Sequence, residues 1–319
     1  MGALCNLLPL EEWLIKIFTI NRVLFLLGTT GIPAGAYFLA SLVHGSRSSH
    51  RILKLALLIG SSALVTALLT YPISRHPFDH VFWILDSRFL AYVQAWDVHS
   101  ITHPSRLFDA NIFFPARNTL AFSENLIGNL PIFAPLYLAT KNAIFAYNVV
   151  DLATFFLSAI TMFWLVRYLT RSSWAAAVAG FVYAFVPARI FQMERVHIIS
   201  EQWTPLVIFF VYIYLELGNW RALAAGAGFL YLEILSSLHG GMFTCLIGLI
   251  YVSVFLVIYR GKIRWRQLVA ILVTLFVVGI MLLPVAVHYL QPQKQGALSD
   301  YSDPIAYSAT PTSYLLSFA

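Results

Sequence analysis

Residues 86 to 129 read D-S-R-F-L-A-Y-V-Q-A-W-D-V-H-S-I-T-H-P-S-R-L-F-D-A-N-I-F-F-P-A-R-N-T-L-A-F-S-E-N-L-I-G-N. This is the one long polar insert in an otherwise apolar chain. Asp86, Asp97, Asp109 and Glu124 fall inside it, with His99, His103, Arg88, Arg106 and Arg117. Apolar runs on both sides predict that the insert lies along a membrane surface. That makes it the first place to look for chemistry.

The rest of the composition supports a membrane setting. Of 319 residues, 60% are hydrophobic and 11% charged, and the mean hydropathy is +0.77. A soluble domain carries roughly 25% charged residues. Several apolar runs approach the ~20 residues that a helix needs to cross a bilayer, and none alternates as barrel strands do. The expected fold is all-α: a polytopic transmembrane protein and a single transmembrane domain over residues 1–319. A net charge of +6 and a pI near 9.3 are expected from basic cytoplasmic loops, not from nucleic-acid binding. Cys5 and Cys245 specify neither a disulfide framework nor a metal site. Glu11 and Glu12, with no basic segment before an apolar one, argue against a cleaved signal peptide.

Read in order, residues 1–22 suit a helix lying in the interface, and a first span covers 23–43. Arg47, Arg51 and Lys54 mark the next loop as cytoplasmic. A second span, 55–71, delivers the insert to the far side, so residues 72–143 form an outer loop with juxtamembrane helices. Leu130–Ala139, interrupted by Pro131 and Pro135, is too short to cross. The helical core, 144–290, holds spans at 144–166, 174–185, 203–217, 223–238, 242–259 and 268–288. About eight spans result, with 291–319 outside. A second polar cluster, P-A-R-I-F-Q-M-E-R-V-H-I-I-S-E-Q-W at 187–203, falls on the same side as the insert by parity.

A helix starting at Asp86 would make that residue an N-cap. Asp97 would then lie three turns along the same face, some ~16 Å away, too far for an acid/base pair. Asp109 and Asn111 are cheaply explained as turn formers. Arginines in a translocated loop run against the charge bias, and the planar guanidinium matches phosphate oxygens. Arg88, Arg106, Arg117, Arg189 and Arg195 together point to an anionic ligand. Asp151 and Glu233 are ionisable groups inside apolar spans, where such groups face the protein interior. Neither D-x-D nor H-E-x-x-H occurs, so no metal is indicated, and no other cofactor is expected.

L-A-Y-V-Q-A-W-D-V-H (90–99), L-F-D-A-N-I-F-F-P-A-R-N-T-L-A-F-S-E-N-L-I-G-N (107–129), P-A-R-I-F-Q-M-E-R-V-H-I-I-S-E-Q-W-T-P-L (187–206) and Y-S-A-T-P-T-S-Y-L (307–315) resemble motifs of the GT-C superfamily of membrane glycosyltransferases. The likeness is to a bacterial GT-C-like branch and covers roughly residues 86–315. Where that branch presents G-D-P, this chain has L-D-S. The chain is also short for such proteins, as a truncated or minimal member would be. The resemblance implies inverting sugar transfer from a polyprenyl-phosphate donor to a glycan, lipid or protein acceptor, at the outer face of a bacterial inner membrane. It implies Asp86 as general base, with Asp97 as the alternative. Candidate substrate-binding residues are Arg88, His99, Asp109, Arg117, Glu124, Arg189, His197 and Gln202. A transporter or flippase of a lipid-linked or anionic solute is the rival reading. A non-catalytic assembly partner is a third.

Overall fold

The computed structural model describes residues 49–294 except 83, 102–105 and 260–263, with side chains from residue 57 to 290. The expected helix at 1–22, the first span at 23–43, His103 and the 307–315 motif lie outside the described residues. Every regular element among those described is helical.

Helix α1, Ser49–Leu69, leads through the turns of residues 70–80 to α2, Ile84–Ser100, which carries Asp86 and Asp97. Two short 3₁₀ segments follow, Thr119–Phe122 and Ile127–Asn129. Then come α3, Leu130–Thr140, and the long α4, Ala143–Thr170. The chain reverses into α5, Ser173–Phe185, and passes through two single turns, α6 (Pro187–Ile190) and α7 (Val196–Ile199). It continues as α8, Thr204–Leu217, α9, Trp220–Ser236, α10, Leu238–Ile258, and α11, Trp265–Lys294.

Local chemistry sets these boundaries. Asn142, Ser172, Asn219 and Ser237 sit in extended conformations ahead of α4, α5, α9 and α10, and each side chain accepts an amide hydrogen bond from the first turn. Such caps satisfy donors that the helix leaves unpaired. Gly218 ends α8 with φ of 67°, the left-handed conformation that glycine adopts without penalty. Pro131, Pro187 and Pro205 stand in the first turns of α3, α6 and α8, where a missing amide hydrogen does no harm.

Five segments are long and apolar enough to cross a membrane: Ala143–Thr170, Ser173–Ile190, Val196–Leu217, Leu238–Ile258 and Trp265–Leu290. Five of the eight expected spans (144–166, 174–185, 203–217, 242–259 and 268–288) fall on these segments, while the one at 23–43 lies outside the described residues. The predicted span at 223–238 is the 17-residue α9. It rises only ~25 Å, short of a ~30 Å hydrocarbon core. The predicted span at 55–71 falls largely on α1, Ser49–Leu69.

The interior gathers in two places. Leu90, Val93, Phe108, Leu120, Leu126, Phe133, Tyr147 and Val150 form one core beneath the 86–129 loop. Phe155, Ala159, Ala184, Phe185, Met193 and Ile199 form a second, between α4, α5 and the second polar cluster. Gly180 lets α5 approach α4 closely, since a Cβ there would meet the Ala159 carbonyl oxygen at 2.5 Å. By contrast α10 and α11 expose long apolar faces, Leu249, Val257, Leu272 and Phe276 among them. Apolar surface of that extent suits contact with lipid chains.

Candidate functional site

The two polar clusters meet. Arg195 Nε donates to Asp86 Oδ2 at 2.9 Å, and both side chains remain about two-fifths exposed, at 43% and 41%. Arg195 also lies 3.9 Å from the Glu194 carboxylate and 3.4 Å from Gln192 Oε1. Tyr147 and Ser87 fix the backbone beside this pair. Their hydroxyls donate to the Glu194 carbonyl at 3.0 and 3.4 Å, tying the second cluster to α4 and α2. Asp86 is the third residue of α2 and not its N-cap, because the helix already begins at Ile84. Its carboxylate faces the positive end of the helix dipole there.

Behind this pair lies a buried polar hub built on E-N-L-I-G-N, residues 124–129. Glu124 accepts from the Leu238 amide at 3.1 Å and from His239 Nδ1, fastening the loop to the start of α10. Burial pushes the Glu124 carboxyl above its ordinary range, and His239 opposes that shift. Asn125 donates to the Tyr289 hydroxyl at 3.4 Å and Asn129 to Ser200 Oγ at 3.2 Å. Gly128 sits against Ser236 and the Leu232 carbonyl of α9, where a Cβ would collide.

Asp97 joins this hub from α2. It is 2% exposed, and burial raises its pKa to about 7 despite a hydrogen bond from the Leu126 amide. Its Oδ2 has no partner, and neither does either amide atom of the fully buried Gln94 one turn earlier. Asp86 and Asp97 therefore occupy opposite environments, one at the surface and one enclosed.

The remaining candidates divide. Asp109 Oδ1 accepts from the Asn118 amide at 2.8 Å, the turn role expected of it. With Trp96, His99, Ser100 and Arg106 it also lines a cavity of about 200 Å³. Arg88 and Arg117 are exposed. His197 is near Asp86, Arg195 and His239, and its Nδ1 has no hydrogen-bond partner. Gln202 is buried with its Oε1 unpartnered.

Arg189 is enclosed instead of presented. Its guanidinium donates to the carbonyls of Tyr183 (3.3 Å), Ala184 (3.4 Å) and Ile199, and lies over the Phe155 and Tyr183 rings. It satisfies carbonyls left open at the end of α5, as cations do at helix C-termini. The arginine presented beside the first loop is Arg195. Deeper in the bundle, Asp151 and Glu233 fall within electrostatic reach of Arg189. Glu233 Oε2 accepts from the Trp203 amide at 3.1 Å, whereas neither Asp151 carboxylate oxygen has a partner.

The residue patterns alone did not reveal the Glu124–His239 pair, for which no local spacing signals a contact across 115 positions. They also passed over H-P-F-D-H at 76–80, although two histidines and an aspartate within five residues is a readable metal-ligand pattern. Among the described residues, this is the one group of three or more such side chains with ligand atoms close enough to share an ion.

Comparison with protein-family models, with curated proteins and with solved structures returned no match.

Proposed function

We propose that this chain is a membrane glycosyltransferase that takes a sugar from a polyprenyl-phosphate-linked donor, with Asp86 as general base. The observation that carries the reading is the Asp86–Arg195 pair. It puts a solvent-accessible carboxylate beside a guanidinium on a protein whose apolar helices suit a lipid-borne substrate. In the free protein the two hold one another. A donor phosphate would draw the guanidinium away, because a phosphate offers it a bidentate partner, and would leave the carboxylate open to an acceptor hydroxyl.

The transfer then balances simply. The acceptor oxygen attacks the anomeric carbon as its proton passes to Asp86. The bond from that carbon to the phosphate oxygen breaks, and the phosphate departs with the electron pair, its added charge held by Arg195. The leaving group is already a stabilised anion, so the scheme needs little acid assistance and no metal. Asp97 suits the base role less well, because it is enclosed away from an acceptor hydroxyl. We place the reaction at the outer face of a bacterial inner membrane, with a glycan, lipid or protein acceptor.

A second reading is favoured by Asp151. A carboxylate inside a spanning helix with neither oxygen partnered is the kind of group that transporters use. Purified protein in lipid nanodiscs, supplied with radiolabelled polyprenyl-phosphate sugar and an acceptor extract, separates the two. Transfer should fall by about two to four orders of magnitude in Asp86→Asn and survive in Asp151→Asn. Donor bound without transfer by the wild type, together with solute flux abolished by Asp151→Asn, would replace the enzyme with a transporter.

A further inference from the structure

The turn H-P-F-D-H, residues 76–80, stands apart from the carboxylates of the 86–129 loop. His76, Asp79 and His80 each bring one ligand atom within 4.8 Å of the others. The two imidazole rings lie 4.8 Å apart, and Asp79 Oδ1 is 2.8 Å from His80 Nδ1. The His80 carbonyl and the backbone between the histidines are fastened from outside the turn. Fully buried Asn148 donates to the carbonyls of Pro77 and His80, each at 2.7 Å, and Asn142 donates to that of Phe78 at 2.9 Å. Phe78 stacks on Phe145 at 4.2 Å. All three supporting residues belong to the start of α4. The amide of His80 closes the turn by donating to the His76 carbonyl at 3.2 Å.

This arrangement combines a fixed backbone with movable donors. Asp79 and His80 side chains are 69% and 37% exposed, and His76 is exposed as well. They can therefore turn inward without disturbing a core. Ligands of a tetrahedral zinc site lie roughly 3.4 Å apart, given metal bonds of about 2.1 Å. Small side-chain rotations bring 4.8 Å to that spacing. Two imidazoles and one carboxylate match first-row divalent ions and leave positions for water. The hydrogen bond that His80 Nδ1 donates to Asp79 Oδ1 holds the His80 ring in place, as carboxylates do for metal-bound histidines. Without an ion, two adjacent imidazoles and a carboxylate at the surface gain little from one another.

We infer that His76, Asp79 and His80 form a divalent transition-metal site, of the zinc class, that braces the turn between α1 and α2 against the start of α4. The inference is independent of the glycosyltransferase proposal, since none of the three residues takes part in that scheme. Its consequence is mechanical: the braced turn leads directly into α2, the helix that carries Asp86.

The test is a competitive Zn²⁺ titration against a chromophoric chelator, on detergent-purified full-length protein without a polyhistidine tag. The wild type should bind one equivalent more than the His76→Ala/His80→Ala double variant. Each single histidine variant should weaken that equivalent by at least ~10-fold, and Asp79→Asn should weaken it measurably. Equal binding by wild type and double variant overturns the inference. A second measurement requires no variant. Zn²⁺ should protect His76 and His80 from diethyl pyrocarbonate, read by peptide mass spectrometry. Equal modification with and without Zn²⁺ overturns the site whatever the variants do.

Discussion

The carboxylate of Asp86 and the guanidinium of Arg195 meet at 2.9 Å across 109 residues of chain. This contact joins the 86–129 loop to the second polar cluster. Because both side chains are about two-fifths exposed, water screens the pair and its own contribution to stability is small, about 0–1 kcal/mol. Arg195→Ala should therefore leave the thermal midpoint nearly unchanged. It should weaken binding of a polyprenyl phosphate by about 1.5–3 kcal/mol, the scale of a charged hydrogen bond. Isothermal titration in nanodiscs measures the second effect. Unaltered affinity would remove Arg195 from the phosphate role.

Asp97 makes a prediction in pH. Burial raises its folded pKa to about 7 from an ordinary 3.8. Between those values the folded protein holds a proton that the unfolded chain releases, so stability falls as pH rises from about 4 to about 7 and levels off above. Glu124, also raised by burial, acts in the same direction. Asp97→Asn keeps an acceptor for the Leu126 amide and carries no charge. Its midpoint should approach or pass that of the wild type at pH 8, while the two differ less in its favour at pH 5. A difference that stays constant over this range would show that Asp97 does not titrate there.

Gly128 should be the least replaceable small residue of the loop. Its Cα faces Ser236 and the backbone of α9 so closely that a Cβ has no room. Gly128→Ala should destabilise the protein by about 1–3 kcal/mol, the usual effect of overpacking. Gly228→Ala is the control, since nothing lies within 4 Å of a Cβ there. Similar thermal midpoints for the two variants would contradict this packing.

Topology can be tested directly. Basic loops resist translocation, so the turn between α4 and α5, with Arg167 and Arg171, should face the cytoplasm and the 86–129 loop the other side. Ala116 and Ser173 are both exposed. Cysteines placed at the two positions, in a background with Cys5 and Cys245 replaced by Ser, should react oppositely with an impermeant thiol reagent added outside intact cells. Equal labelling would reject this orientation.

The all-helical class was legible because apolar runs of the right length are a property of composition. Local residues also mark the starts of three of the five long segments, since Asn142, Ser172 and Ser237 cap α4, α5 and α10. The span count was not legible, because α9, at 17 residues, is about one turn short of a crossing and reads much like its longer neighbours. The site was legible only as two clusters. Arg189 and Arg195 stand six residues apart with similar neighbours, yet one closes the carbonyls of a helix end and the other meets Asp86. That difference depends on where α5 stops relative to α7. Likewise, the starting point of α2 at Ile84 turned Asp86 from a presumed cap into a first-turn residue.

Helix α11 is fastened near its two extremities. Gln267 donates to the Tyr214 and Leu215 carbonyls at 3.2 Å. Near the other extremity His288 pairs with Asn118 at 2.9 Å and stacks on Phe108, while Tyr289 receives Asn125. Between these fastenings most side chains face outward, with Val278 a buried exception. Over evolutionary time, the middle of α11 is thus free to drift among apolar residues at almost no penalty. Its ends evolve under the veto of distant partners. Related chains should accordingly diverge most in the centre of this helix while retaining Gln267, His288 and Tyr289, a pattern that will reveal kinship where whole-chain likeness has faded.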